Sequence, residues 1–406
     1  MRVAAITYGT EGDTRPFVAL AGGLRRAGHS MVLATDPGAL PPGCAARDRV
    51  ELLPLHGSIR DQLAMSPMGD HVRSGAGFVA GTRVVRRLLR DHLADWTRTF
   101  VEIAADADVL VSSGLALPVA FNAADRLHLP VTLAAAQPFE PTRDFTLPIL
   151  GHDLPRALRV PLGRLAGAST WMALRPMINT ARDTIGLPPR RRAWTGFPQL
   201  IAVSPTLVPR PPDWPSRITV TGDWRLPVDI DYRPPDRLAS FLALGEAPVY
   251  VGFGSMPVGQ DTITAVLAGL DGRRAVLAGG WASIDDSSLP EGVLRIDHAP
   301  HDWLMPRVSV AIHHAGAGTS HAACRAGVPS VPVPFTADQP FWAARMRGLG
   351  VATNPLPARR VSSDGIRRAV GEAVHLTDAA HRVAALMSAE DGVTVAVRAL
   401  EELVEG

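Results

Sequence analysis

Short apolar runs alternate along this chain with segments whose apolar positions recur at helical spacing. In the first half the strand-like runs are 3–7, 30–35, 109–112, 131–135 and 200–203. Between them 15–27, 82–99 and 118–127 read as helices. Near-continuous apolar strands separated by helices predict a parallel sheet with crossover helices. Prolines then crowd together, at Pro205, Pro209, Pro211, Pro212 and Pro215. Each removes a backbone donor and fixes φ, so this stretch predicts a linker or hinge. The alternation restarts with strand-like runs at 248–253, 274–278, 293–296, 308–312 and 330–333. A final alanine-rich run, 378–402, reads as helix.

Both halves therefore open with a strand, a glycine turn and a helix. The expected fold class is α/β, with two facing Rossmann-like domains and a cleft between them. The expected boundaries are 1–208 for the first domain, 209–235 for the linker and 236–380 for the second. Residues 381–406 are expected as a helix packing back across the domain boundary. Ligands of such sheets bind at the carboxyl ends of the strands, where both glycine turns fall.

Length and composition fit two domains: 406 residues, 46% hydrophobic and 20% charged, with a formal net charge of +2. Disorder is not expected from such values. Neither the mild charge nor any motif suggests nucleic acid. The 41 basic residues are all arginine, which reads as coding bias in a GC-rich, bacterial genome. The first residues lack the apolar core of a signal peptide, and no run of about 18 uncharged apolar residues occurs. Cys44 and Cys324 form no metal or redox spacing. The expectation is a cytoplasmic protein without stable membrane insertion, monomeric or weakly dimeric.

The densest candidate chemistry lies at Ala311-Ile312-His313-His314-Ala315-Gly316-Ala317-Gly318-Thr319. A glycine-rich turn from strand to helix lets backbone N–H groups approach a phosphate, and the helix N-terminus adds partial positive charge. His314 is expected to add a charge-assisted hydrogen bond. Gly252-Phe253-Gly254-Ser255 is a second glycine turn, where Ser255 can meet a phosphate or cap a helix. Near Asp297-His298-Ala299-Pro300, the ring of His298 can lie on a nucleotide base and the Ala299 backbone can read its edge. Asp338 and Gln339, at a strand end, can hydrogen-bond sugar hydroxyls; a turn-forming Asp before Pro340 is the alternative.

In the first domain, Gly9-Thr10-Glu11-Gly12-Asp13-Thr14-Arg15-Pro16 is not a dinucleotide fingerprint. Asp13 is a candidate general base, and a helix-capping role stands beside that reading. An ordinary aspartate titrates near ~3.9. Glu11 and desolvation would raise that value, and Arg15 and the helix end would lower it. Metal binding is not expected, since the histidines lack ligand spacing. Arg83, Arg86, Arg87 and Arg90, interleaved with aliphatic residues, suit a membrane surface or an anionic partner, or an ordinary solvated helix face. Met65, Phe78, Gln137 and Phe139, in two loops of the first domain, are candidates for lining an apolar site.

Together these segments resemble the bacterial branch of the nucleotide-sugar glycosyltransferases of GT-B fold, the natural-product and sterol-type glucosyltransferases. The resemblance rests on residues 9–16, 220–224, 248–256, 299–304, 313–319, 325–329 and 338–342. It implies that the first domain binds an acceptor and the second a UDP- or TDP-hexose. It further implies that Asp13 is the base, and that Ser255, His314, Gly316, Gly318 and Thr319 contact the pyrophosphate. His298 and Ala299 then meet the base, and Asp338 and Gln339 the sugar. The implied reaction is inverting transfer to a hydroxyl or amine of a hydrophobic small molecule, such as a secondary metabolite in antibiotic biosynthesis, with no metal or added cofactor. Two departures stand out: Asp13 where other members carry His, and Ala315 where many carry Gly. The alternatives are a nucleotide-sugar 2-epimerase of the same fold, a non-catalytic nucleotide-sugar-binding protein and, poorest, a nicotinamide oxidoreductase.

Overall fold

A computed structural model of the chain describes residues 1–40, 50–57, 78–151, 153–226, 231–254, 258–278 and 289–405; the side chains of 78–85 and 88 fall outside that description. The described residues form two compact units. One runs to Leu226 and takes back 391–405, and the other extends from 231 to Glu390.

The first unit holds a seven-stranded parallel sheet in the order β3-β2-β1-β4-β5-β6-β7. Its strands are β1 (Arg2–Ile6), β2 (Ser30–Thr35), β3 (Glu51–Pro54), β4 (Val109–Ser112), β5 (Val131–Ala135), β6 (Gln199–Ile201) and β7 (Ile218–Val220). Its helices are α1 (Glu11–Arg26), α2 (Phe78–Ile103), α3 (Leu117–Leu127) and α4 (Arg156–Asp183). Strand side chains alternate between faces. Ala4, Ile6, Val32 and Leu110 join Leu93, Trp96 and Phe100 of α2 and Ile178 of α4 in one core. Val3, Ala5, Leu33, Val109 and Val111 join Phe17, Leu20 and Leu24 of α1 in the other. Each large side chain so buried contributes about 1.5–3 kcal/mol.

The second unit holds a five-stranded parallel sheet in the order β10-β9-β8-β11-β12. Its strands are β8 (Val249–Gly252), β9 (Ala275–Ala278), β10 (Val293–Ile296), β11 (Val310–His313) and β12 (Ser330–Pro332). The helices are α5 (Asp236–Ala243), α6 (Gln260–Gly269), α7 (His301–Leu304), α8 (Ala317–Ala326), α9 (Gln339–Gly348), α10 (Ser363–Val374) and α11 (Thr377–Ser388). Val249, Val251, Val310 and Ile312 face α6 and α10, while Tyr250, Val276 and Ala311 face α7 and α8.

Three features differ from expectation. The proline-rich stretch 209–235 is not only a linker, because Ile218–Val220 pairs with β6 in register Gln199↔Ile218. Those three residues contain no proline, so their backbone donors are available to a ladder. The run 378–402 is not one helix. Asp391 caps a new helix, α12 (Gly392–Glu405), by accepting from the Thr394 N–H at 3.1 Å and its hydroxyl at 2.7 Å. The helix 156–183 was not expected, because Pro161 and Pro176 interrupt its pattern.

α12 belongs to the first unit, where Val393, Val397 and Leu400 complete the α1 core. Its seat requires glycine on both sides. A Cβ on Gly392 would lie 2.4 Å from the Gly222 carbonyl, and Gly222 itself has φ +109.

Candidate functional site

In each sheet the chain order reverses beside the first strand: between β1 and β4 in the first unit, and between β8 and β11 in the second. Such a reversal opens a crevice at the carboxyl ends of the strands. Each candidate loop emerges at one of these edges.

In the second unit β11 runs straight into His313, and α8 starts at Ala317 with Gly316 as its N-cap. Ala315 between them has φ +61, the left-handed conformation, and is fully buried. That conformation costs a non-glycine residue about 1–2 kcal/mol. Here it is held by His313, whose Nδ1 accepts the Ala315 N–H at 3.1 Å while Nε2 lies 3.0 Å from the Ser330 hydroxyl. An accepting Nδ1 places the ring proton on Nε2, toward Ser330. Sequence reasoning passed over His313; its histidine at the last position of a buried strand was the available signal.

The turn leaves backbone donors without intrahelical partners. The first intrahelical bond is Ser320 N–H to Gly316 O at 3.0 Å. The N–H groups of Ala317, Gly318 and Thr319 precede it, as expected for a helix N-terminus, and have no partner among the described residues. A Cβ on Gly318 would meet nothing within 4 Å, so packing does not demand glycine there. Gly316 is different. A Cβ on it would lie 2.3 Å from His314 Nε2, so its bareness makes room for the imidazole.

His314 sits between the two glycine turns, its Cε1 3.2 Å from where a Gly254 Cβ would stand. Its Nδ1 is buried without a hydrogen-bond partner of good geometry. Desolvation lowers its pKa to about 4, although the nearby Gly252 backbone favours the protonated ring slightly. His314 is therefore neutral near pH 7. Any hydrogen bond it gives a phosphate is thus charge-assisted by the phosphate alone.

The other candidates share the carboxyl edge but lie farther along it. His298 and Ala299 follow β10, an outer strand; His298 is exposed and Ala299 is buried in the core. The loop is tied to the sheet centre by Tyr250 Oη and His301 Nε2, 3.2 Å apart. Asp338 and Gln339 follow β12 at the opposite edge. Both side chains have structural partners. Asp338 Oδ2 accepts the Trp342 indole N–H at 2.7 Å, and Gln339 Oε1 accepts the Phe335 and Thr336 N–H groups at 2.7 and 3.1 Å. Ser255 lies outside the described residues.

In the first unit Asp13 stands in the first turn of α1. Its Oδ2 accepts the Thr10 N–H at 2.8 Å and the Thr10 hydroxyl at 3.2 Å, so the capping role is real. Oδ1 has no partner among the described residues. Gly9 permits this arrangement, since a Cβ there would stand 2.2 Å from Oδ2. The carboxylate is reachable by solvent yet crowded by protein. Desolvation raises its pKa above the ordinary aspartate value, against the two Thr10 hydrogen bonds, which lower it. Arg15 is not the opposing charge, being paired with Glu11 at 3.3 Å.

Of the apolar candidates, Gln137 and Phe139 follow β5. The Phe139 ring tip lies 2.7 Å from where a Cβ would stand on Gly114, beyond β4. Gln137 Oε1 is buried without a hydrogen-bond partner. Phe78 opens α2 with its side chain undescribed, and Met65 lies outside the described residues. Among the described residues no cluster of histidine, cysteine and carboxylates could hold a metal ion, and no helix is long and apolar enough to cross a membrane.

Comparison with known proteins gives the same outline. Residues 264–403 match the family described as erythromycin biosynthesis protein CIII-like, C-terminal domain. The chain is 33% identical over 435 residues to the O-mycaminosyltylonolide 6-deoxyallosyltransferase of Streptomyces fradiae, covering 100% of this chain and 98% of that one. It is 29% identical over 422 residues to the sterol 3-beta-glucosyltransferase UGT80A2 of Arabidopsis thaliana. That match covers 98% of this chain, which spans only 65% of the plant protein's length. Among solved structures, the glycotransferase of kitacinnamycin superposes with TM-score 0.72 at 19% identity, covering 99% of each chain. The glycosyltransferase VinC, in complex with DTDP, superposes with TM-score 0.67 at 18% identity, covering 100% of each.

Proposed function

Since this chain belongs to the GT-B glycosyltransferase family that includes the natural-product and sterol enzymes, we propose that it transfers a hexose from a UDP- or TDP-sugar to a hydroxyl or amine of a hydrophobic small molecule, with inversion. The observation that carries the donor half is the β11–α8 turn. It combines the N–H groups of Ala317, Gly318 and Thr319, which have no partner among the described residues, with a buried His314 Nδ1 that lacks a hydrogen bond of good geometry. Oriented backbone donors at a helix N-terminus suit a diphosphate and stabilise the charge that grows on it as the sugar leaves. The DTDP held by VinC and the sugar-transferring names of the relatives support a nucleoside diphosphate. In this reading Ser255 and Thr319 add hydroxyl contacts. His298 and Ala299 receive the base, and Asp338 and Gln339 meet the sugar.

Asp13 supplies the base. Its Oδ1 accepts the acceptor proton as the nucleophile attacks the anomeric carbon opposite the leaving diphosphate. Desolvation suits this task, because a raised pKa brings the carboxylate closer to the working pH. Gln137 and Phe139, with Met65 and Phe78, are proposed for the acceptor side. The domain assignment follows: acceptor on the first unit, donor on the second, in the cytoplasm, with no metal or further cofactor. The helix N-terminus supplies the electrostatic stabilisation that a cation gives elsewhere.

Calorimetric titration with UDP, TDP and NAD⁺, with and without a divalent metal, tests the donor site. Binding of UDP or TDP that needs no metal is expected; binding of NAD⁺ alone would reject the reading. Incubation with nucleotide sugar alone should leave the sugar unchanged, whereas a C2 epimer would reassign the chain as an epimerase. Product anomeric configuration by NMR tests inversion.

A further inference from the structure

Helix α4 presents Leu158, Leu165 and Met172 to solvent, at 46%, 60% and 60% exposure. Each is seven residues from the next, two helical turns, so the three stand in one line about 21 Å long. Ile149, 47% exposed, lies in the turn Pro148–Leu150 that precedes the helix. Single exposed aliphatic residues are ordinary, but an aligned row of them marks an interaction surface.

Beside the row is a groove of about 690 Å³ lined by Arg143, Arg156, Ala157, Val160, Pro161 and Arg164. All three arginines are exposed. Their relative placement is fixed by Arg159, which donates to the carbonyls of Arg143, Asp144 and Leu154 at 3.0, 2.9 and 2.9 Å. Of the neighbouring carboxylates, Asp153 is paired with Arg159 at 3.0 Å, Asp213 accepts the Arg143 N–H at 2.9 Å and lies near its charge, and Asp144 is exposed in the loop. From Arg156 to Arg182 the helix contains no Asp or Glu. Helix α2, which packs against α4, also carries exposed Arg86, Arg87 and Arg90, with exposed Asp91 beside them.

We infer that this face of the first unit docks on an anionic lipid surface. Leu158, Leu165 and Met172 enter the boundary of the acyl region, and Arg143, Arg156 and Arg164 hold headgroup phosphates. An exposed apolar row on a helix that carries arginines and, from 156 to 182, no carboxylate has the composition of an interfacial helix. A second copy of this chain fits poorly, since pairing two such faces brings arginine against arginine. The row is also exposed rather than recessed, as none of its three residues lines the groove. That geometry suits insertion better than reception of a partner's side chains.

Co-sedimentation of the full chain tests this, with vesicles of phosphatidylcholine alone and of phosphatidylcholine mixed with phosphatidylglycerol, at two salt concentrations. Expected is binding to the mixed vesicles only, weakened by salt. Arg156→Glu with Arg164→Glu, and separately Leu165→Asp with Met172→Asp, should each lower partitioning about tenfold or more. Circular dichroism should show both pairs folded, because all four positions are exposed. Failure to sediment, equal binding to both lipids, or wild-type binding by both variant pairs would overturn the inference. So would a dimer in sedimentation velocity that dissociates in Leu165→Asp, which would assign the row to a second copy.

Discussion

The Nδ1 of His313 accepts the backbone N–H of Ala315 at 3.1 Å, and this one bond joins a buried strand end to a left-handed residue. His313 itself is fully buried, and desolvation, with the nearby His314 and His301, depresses its pKa to about 3. It is a positioning residue that shapes the turn on which the N–H groups of Ala317, Gly318 and Thr319 sit. His313→Leu removes partners from Ala315 N–H and the Ser330 hydroxyl, at about 1–3 kcal/mol for each buried group left unsatisfied. Chemical denaturation should register that loss, and calorimetry should show weaker nucleoside diphosphate binding. Unchanged stability and binding would remove His313 from this role.

Ala315 supplies a test of opposite sign. Glycine adopts φ +61 without the side-chain penalty, so Ala315→Gly should stabilise the folded chain by up to about 1 kcal/mol, partly offset by the greater freedom of unfolded glycine. A denaturation midpoint that moves down would show that the buried methyl contributes more than the strain.

Gly318→Ala separates binding from folding. Its Cβ would meet no protein atom, and alanine favours helix over glycine by about 1 kcal/mol. Stability should therefore hold or rise while affinity for UDP or TDP falls about tenfold or more. Equal affinity would mean that no ligand approaches the first turn of α8.

Asp13→Asn should lower turnover about 10²–10⁴-fold while donor binding on the other unit is kept. In the unaltered chain the acid limb of the rate profile should lie above the ordinary aspartate value, because desolvation raises the Asp13 pKa and the base works only when ionised. Gly9→Ala should act like a partial Asp13 defect, since its Cβ collides with the carboxylate. Full turnover in Asp13→Asn would dismiss the base.

The two histidines also predict how stability follows pH. His313 and His314 have folded pKa values depressed to about 3 and about 4, against the usual 6.5. Above about 6.5 neither folded nor unfolded chain holds these protons, and the contribution is complete. As pH falls from there the unfolded chain is protonated first, so stability declines until the folded values are passed. Urea midpoints from pH 7 to pH 4 should fall less steeply in His313→Leu than in the unaltered chain, relative to each protein's midpoint at pH 7. Parallel slopes would contradict the assignment of neutral buried rings.

The periodic elements of this protein are legible in the order of its residues. Runs such as 109–112 and 131–135 are apolar on both faces, and only a strand covered by helices on both sides buries them. The same local chemistry made the 311–319 turn legible, because glycine after a strand and before a helix is a backbone requirement written in one place. Strand β7 and helix α4 were not legible. Prolines masked both, and what holds them is pairing with β6 in one case and a core with α2 in the other.

The protonation and placement of the buried groups depend on the fold. That His314 is neutral follows from burial, and that Ala315 is held in its left-handed turn follows from His313, itself fixed beside Ser330 of another strand; the pairing of Arg15 with Glu11 and the capping by Asp13 are contacts within one helical turn, which spacing permits but does not choose. The same holds for α12, whose apolar face could have served either unit; glycines 222 and 392 bring two backbones together and fix it to the first. Periodicity is a property of adjacent residues, whereas desolvation, pairing and close approach depend on what the fold brings alongside.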